Sequence, residues 1–155
     1  TKFAAWSDGQ TSRPHPAGTV SRESNWEENA FNTGRQAGTV VEVMPLEVTA
    51  AVLKRGQERY SIYCQPCHGV VGDGKGITSK YGMGNTASLH QERLIKTPDG
   101  DIFNTIGNGK NTMMGYASVI PVADRWAVVA YVRTLQLSRL ASESEIPAAI
   151  LPTIK

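Results

Sequence analysis

The run Cys64-Gln-Pro-Cys-His68 constrains this chain more than any other feature. Two thiols three positions apart lie about one helical turn apart, with an imidazole on the next residue. Three kinds of site use such a run. Two thioethers can attach a haem, with the adjacent histidine facing the iron; this is the c-type attachment spacing. A thioredoxin-like dithiol sits near a βαβ pattern, and no parallel-strand pattern occurs in this sequence. A structural zinc site needs four ligands, and beyond the run the chain offers His15 and His90, neither at a paired spacing. The haem reading is the one whose other half is present.

Composition narrows the setting. The chain has 155 residues, 40% hydrophobic and 19% charged, as expected of a globular domain with an appendage. A formal charge of +2 gives no footprint for nucleic acid or for a polybasic membrane contact. The longest apolar run, Trp126 to Val132, is seven residues, against roughly 20 for a spanning helix. Two cysteines cannot build a disulfide framework. The sequence opens at Thr1 with no signal peptide, which is the expectation for a processed or trimmed product.

Three regions follow from the pattern. Residues 1–48 carry Pro14, Pro16 and several glycines, sustain no helical period, and contain 4 basic and 6 acidic residues. Thr39 to Val43 reads as a short strand without a second strand to pair it. Phe3, Trp6, Trp26 and Phe31 lie in this region, whereas disordered segments are poor in aromatics. It therefore reads as an extended arm that packs its aromatics on its own core or on partner subunits. Residues 49–137 read as a helical domain. Thr49 is an N-cap, and Val52, Gly56, Tyr60 and Cys64 share one face of a helix that delivers the motif at its end. A glycine-rich loop follows. Thr97 as cap, Pro98 at the first position and Asp99 and Asp101 in the first turn open a second helix, with Ile102, Phe103 and Ile106 on its apolar face and Gly107 after it. Asn108 to Ile120 reads as loop, and Pro121 opens a third, largely buried helix to about Leu137. Residues 138–155 read as a C-terminal tail, a surface strap.

An iron held by His68 has a second axial position, and a methionine sulfur there raises the reduction potential. Met113 and Met114 lie in a polar loop well downstream of the motif, where a chain wrapped over the haem passes its far face. Either can serve as ligand. A methionine as flexible core filler is the competing reading, and two adjacent ones in a Gly/Asn-rich loop make a poor core pattern.

The stretch from Arg55 to Gln136 resembles a class I cytochrome c: an all-α fold of three to four helices around one covalently bound haem. Gly56 and Tyr60 occupy the small and aromatic positions before the first cysteine, and Tyr131 the aromatic on the last helix. Met113-Met-Gly-Tyr116 resembles the family's methionine loop with Met113 as ligand and Met114 where proline is common. The family orients its histidine through a proline carbonyl, but no proline occurs between His68 and Thr97. Some other carbonyl of that loop must accept the ring N–H.

A narrower resemblance takes in Asp8-Gly-Gln-Thr-Ser-Arg-Pro14, Gly18-Thr-Val20, Phe31-Asn-Thr-Gly34, Leu89-His-Gln-Glu-Arg-Leu94 and Asp124 to Tyr131. These are similar to the monohaem cytochrome c subunit of bacterial alternative complex III, a quinol:electron-acceptor oxidoreductase. The resemblance implies one-electron transfer, with haem c attached through Cys64 and Cys67 and the iron held by His68 and Met113. It implies an extracytoplasmic subunit peripheral to the membrane, without bond-making catalysis of its own. Electrons would come from a multihaem cytochrome and leave to a soluble cytochrome c, a small copper protein or an oxidase. A free soluble shuttle and a haem protein with an open iron site, an enzyme or sensor, are the competing functions.

Other features carry less. Gly69 to Lys75 approaches a phosphate-loop frame, but Gly76 replaces the Ser/Thr and no strand precedes it. Asp99-Gly-Asp101 lacks the later ligands of a calcium loop. His90 reads either as a haem-propionate partner or as a local cap, Arg93 as a further propionate partner, and Arg125 and Arg133 as residues near a docking face.

Overall fold

A computed structural model describes residues 16–19 and 27–147. Phe3, Trp6, Trp26, the whole of the Asp8–Pro14 motif, Val20 of the Gly18-Thr-Val20 motif and the tail from residue 148 lie outside the described residues. The fold is mostly helical. A single turn, α1 (Ala30–Thr33), is capped by the Asn29 side chain and closed by Gly34 at φ 67°. Strand β1 (Arg35–Gln36) pairs antiparallel with β2 (Thr39–Val40). The strand expected over Thr39–Val43 is thus shorter and has a partner. Ala37 and Gly38 make the two-residue turn with φ of 48° and 77°, the left-handed pair that tight hairpins need.

The segment after this hairpin is pinned by backbone bonds to the helix domain. The carbonyls of Val41 and Glu42 accept the Gly100 and Asp99 N–H groups at 3.0 and 3.1 Å, satisfying orphan donors at the start of a helix. Phe31, Val41, Met44 and Leu46 pack against the core. The Trp126 indole N–H donates to the Phe31 carbonyl at 2.6 Å. A Cβ on Gly100 would fall 2.3 Å from the Gly34 carbonyl oxygen, so this approach requires glycine.

Helix α2 (Ala50–Tyr63) begins where expected, with the Thr49 hydroxyl accepting the Val52 N–H. The motif forms a short α3 (Gln65–His68), and a 3₁₀ turn covers Ile77–Tyr81. Then come α4 (Glu92–Ile95) and α5 (Asp99–Asn108). Pro98, not Thr97, stands at the α5 cap position, and the Thr97 hydroxyl donates back to the Arg93 carbonyl. Gly107 lies inside α5, and Gly109 at φ 80° ends it. The expected loop of Asn108 to Ile120 contains a small hairpin, β3 (Gly109–Lys110) against β4 (Met113–Met114). The last helix, α6 (Val122–Leu140), runs three residues past Leu137.

The core forms where α2, α5 and α6 meet: Tyr60, Phe103, Ile120, Trp126, Val128 and Val129 are all but inaccessible to solvent. Phe103 stacks on Trp126 with ring centroids 4.2 Å apart. Tyr60 meets Tyr131 at 5.3 Å, as the α2–α6 pairing requires. A Cβ on Gly56 would lie 2.0 Å from the Ala127 carbonyl oxygen. Both atoms belong to rigid helix backbone, so Gly56→Ala must separate α2 from α6. We expect it to cost about 1–3 kcal/mol or more, by the usual scale of overpacking, measured as a fall in denaturation midpoint.

Candidate functional site

Cys64 ends α2 and opens α3. Its N–H donates to the Tyr60 carbonyl, while its own carbonyl accepts the N–H groups of Cys67 and His68. The motif is therefore one wound turn rooted in a long helix, which fixes the order of its three side chains. Both cysteines are half-buried and free. Burial, helped by the neighbouring Cys67, pushes the Cys64 thiol up to about 12, so it stays protonated at neutral pH.

The His68 ring nitrogen Nδ1 lies 3.1 Å from the Ala87 carbonyl oxygen. A carbonyl only accepts, so Nδ1 carries the proton and Nε2 keeps a free lone pair. Burial draws the ring below the ordinary histidine range, opposed in part by the Ala87 bond. The result is a neutral, oriented imidazole. The loop carbonyl that replaces the missing proline is that of Ala87, a residue with no signal in the sequence.

At two positions the glycine-rich loop approaches other backbone closely. A Cβ on Gly76 would fall 2.1 Å from the Pro66 carbonyl oxygen, and one on Gly74 would fall 2.6 Å from that of Thr86. These glycines press the loop onto the motif turn and onto the segment that carries Ala87. Tyr60, 1% exposed, donates its hydroxyl to the Gly69 carbonyl at 2.7 Å, binding α2 to the residue after His68. Tyr60→Phe leaves that carbonyl with the Gly72 N–H alone, at 3.3 Å. We expect a loss of about 0.5–1.5 kcal/mol, the net contribution of one hydrogen bond, read by thermal denaturation.

Met113 and Met114 are consecutive in β4, so their side chains take opposite faces. Met113 is half-buried and Met114 is 81% exposed. The loop beyond them is anchored on the end of α5: Tyr116 and Ala117 donate their N–H groups to the carbonyls of Ile106 and Gly107. Tyr116 meets Tyr63 edge-on at 6.1 Å, which brings the methionine loop to the residue before Cys64. Burial raises the Tyr116 hydroxyl, with smaller contributions from Cys67 and Cys64 nearby.

The residues assembled here suit a flat apolar group with a metal at its centre. Two free sulfurs and one free imidazole nitrogen lie on a single turn, and the half-covered rings of Tyr63 and Tyr116 stand beside them. Among the described residues, no three or more His, Cys, Asp or Glu side chains are grouped to hold a metal ion by themselves.

A sequence family described as cytochrome c oxidase, cbb3-type, subunit III, matches residues 51–132, more than half of the chain. The chain belongs to that family. A c-type cytochrome domain carries covalently bound haem c with its iron, and Cys64 and Cys67 of this cytochrome fit the two thioethers. No curated protein sequence matches the cytochrome. Among solved structures it is similar to a chain of the reducing HAO-like protein complex of Kuenenia stuttgartiensis. That match has 23% identity and a TM-score of 0.50, and covers 68% of this cytochrome and 53% of that chain. It is also similar to cytochrome cL from Hyphomicrobium denitrificans, with 22% identity and a TM-score of 0.49, covering 73% and 64%. The cytochrome thus spans less than two thirds of either chain. The first likeness bears on the fold alone, a class I cytochrome c-like one.

The other residues singled out in the sequence have these surroundings. His90 makes a local bond: its Nε2 lies 2.6 Å from the Val71 carbonyl. Arg93 is exposed. Arg125 lies over the Phe103 ring at 4.5 Å. Arg133 faces inward, not toward a docking surface. It donates to the Asp99 carboxylate at 2.6 Å and also to the carbonyls of Ile95 and Thr97 and to Gln136. No pattern in the sequence marks this cluster as a unit.

Proposed function

We propose that this cytochrome transfers single electrons through one haem, with His68 and Met113 as the axial ligands. The observation that carries the reading is the oriented, neutral His68 ring with Nε2 free. When bound, haem c supplies an iron that alternates between two valences without making or breaking substrate bonds. The chain's own part is positional. Ala87 holds the histidine, the β4 strand turns Met113 inward and Met114 outward, and the Tyr63–Tyr116 pair covers the motif from the methionine side. The thioether and the apolar surroundings favour the reduced state, because both disfavour the extra charge of the oxidised iron.

The cellular role we propose is that of a peripheral, extracytoplasmic monohaem subunit of a quinol-oxidising complex of the alternative complex III type. It would relay electrons from a multihaem cytochrome to a soluble cytochrome c, a small copper protein or an oxidase. Support comes from the sequence resemblance over residues 8 to 137. It agrees with the finding that no helix among the described residues is long and apolar enough to cross a membrane. A second reading, a free soluble shuttle, draws support from Phe31, Val41, Met44 and Leu46, which pack on the chain's own core rather than waiting for a partner. Affinity purification of the tagged chain from its own membranes separates the two. Co-purification with a multihaem cytochrome and a quinol-oxidising activity is expected; recovery of the chain alone, monodisperse, selects the shuttle.

A further inference from the structure

The carbonyl that orients His68 belongs to a loop residue, and a single bond to a loop orients nothing unless the loop itself is held. Residues 86–89 are held from two sides. On one side the Leu89 N–H donates to the Gly72 carbonyl at 2.7 Å, and Gly74 packs against the backbone of Thr86 and Ala87. On the other, the Gln136 side-chain amide crosses from α6 and donates to the Leu89 carbonyl at 2.8 Å, with a longer contact of 3.5 Å to that of Leu94. Gln136 is 3% exposed, a polar side chain sunk among apolar neighbours of the last helix. Its own orientation is set in turn: Arg133 donates Nη1 to the Gln136 Oε1 at 2.8 Å, so the amide nitrogen is the end that faces the loop.

We propose that Gln136 is a positioning residue for the haem histidine, clamping the Leu89 carbonyl so that the Ala87 carbonyl two residues earlier stays on the His68 ring N–H. The inference rests on His68 being an iron ligand. A carbonyl on the far ring nitrogen increases the basicity of a ligating histidine and steadies its plane. In a loop with no proline to stiffen it, that carbonyl is only as fixed as its neighbours. The clamp therefore tunes the iron through three residues that never touch it.

The test uses the ferric and ferrous holoprotein, wild type and Gln136→Met, a substitution of similar length that deletes the amide. Two readouts are followed: hydrogen–deuterium exchange of the His68 ring N–H by proton NMR, and the reduction potential. Ring N–H exchange at least tenfold faster, with a potential shifted upward as the histidine becomes a weaker donor to ferric iron, is the expected result. Unchanged exchange and potential, whatever happens to the melting temperature, would overturn the clamp and leave Gln136 a packing residue. If Gln136→Met yields no holoprotein, Gln136→Asn, one methylene too short to reach Leu89, is judged by the same two readouts. Absence of any paramagnetically shifted ring N–H from His68 in the wild type defeats the ligand reading itself. That outcome is distinct from a shifted signal that the variants leave unaltered.

Discussion

Met113→Ala is expected to abolish the red-edge absorption band that marks methionine sulfur on ferric haem iron, to lower the reduction potential, and to let carbon monoxide bind the ferrous protein. Met114→Ala is expected to do none of these. The two residues are neighbours of identical chemistry, so composition cannot separate them. Strand geometry does. Successive side chains in β4 take opposite faces, and Met114 is 81% exposed while Met113 is half-buried. Loss of a thioether ligand removes the preference for reduced iron that it confers and opens a coordination position. A band that survives Met113→Ala but disappears in Met114→Ala would exchange the two roles. A band unaffected by either would remove methionine from the site.

The second large effect is on stability. Asp99→Ala should cost about 3–5 kcal/mol, the range for removing one partner of a buried ion pair. Asp99 is 5% exposed, and its two oxygens serve different elements. One accepts from Arg133 on α6 at 2.6 Å and the other from the Met44 N–H at 2.9 Å. The substitution leaves a largely enclosed guanidinium without its carboxylate and removes the Met44 N–H acceptor, one of the three bonds that hold the segment before α2 to the head of α5. A denaturation midpoint within the usual scatter of a surface substitution, about 0.5 kcal/mol, would show that the pair contributes little. Asp99→Asn keeps the shape and part of the hydrogen bonding, so its loss should be smaller. That ordering separates charge pairing from packing.

The parts of the fold written in local chemistry were legible in the sequence. Thr49 and the spacing of Val52, Gly56, Tyr60 and Cys64 mark α2 and its face, because capping and helical period act within a few residues. The site's central turn is equally local: five consecutive residues carry two sulfurs and an imidazole. The start of α5 differs from the expected one for a physical reason. Its first N–H groups are satisfied by the carbonyls of Val41 and Glu42, more than 50 residues away, so Thr97 is not needed as a cap. Backbone acceptors have no residue type and leave no trace in sequence. The same holds for Ala87, whose contribution is a carbonyl that any residue could supply. The Asp99–Arg133–Gln136 cluster escaped because its members look like helix-start acid, surface cation and polar filler until three elements meet. The hairpin at Arg35 to Val40 turns on Ala37-Gly38, a weaker turn signal than Asn-Gly.

In the proposed function both axial positions of the iron are filled by this chain, so that the cytochrome moves electrons and does not bind ligands. Exposure of the dithionite-reduced wild-type holoprotein to carbon monoxide, followed by absorption spectroscopy, tests it most directly. A reduced spectrum that carbon monoxide leaves unchanged at neutral pH is the predicted result. Ready formation of a carbon monoxide complex by the unaltered protein would contradict it and move the chain to the open-site haem proteins.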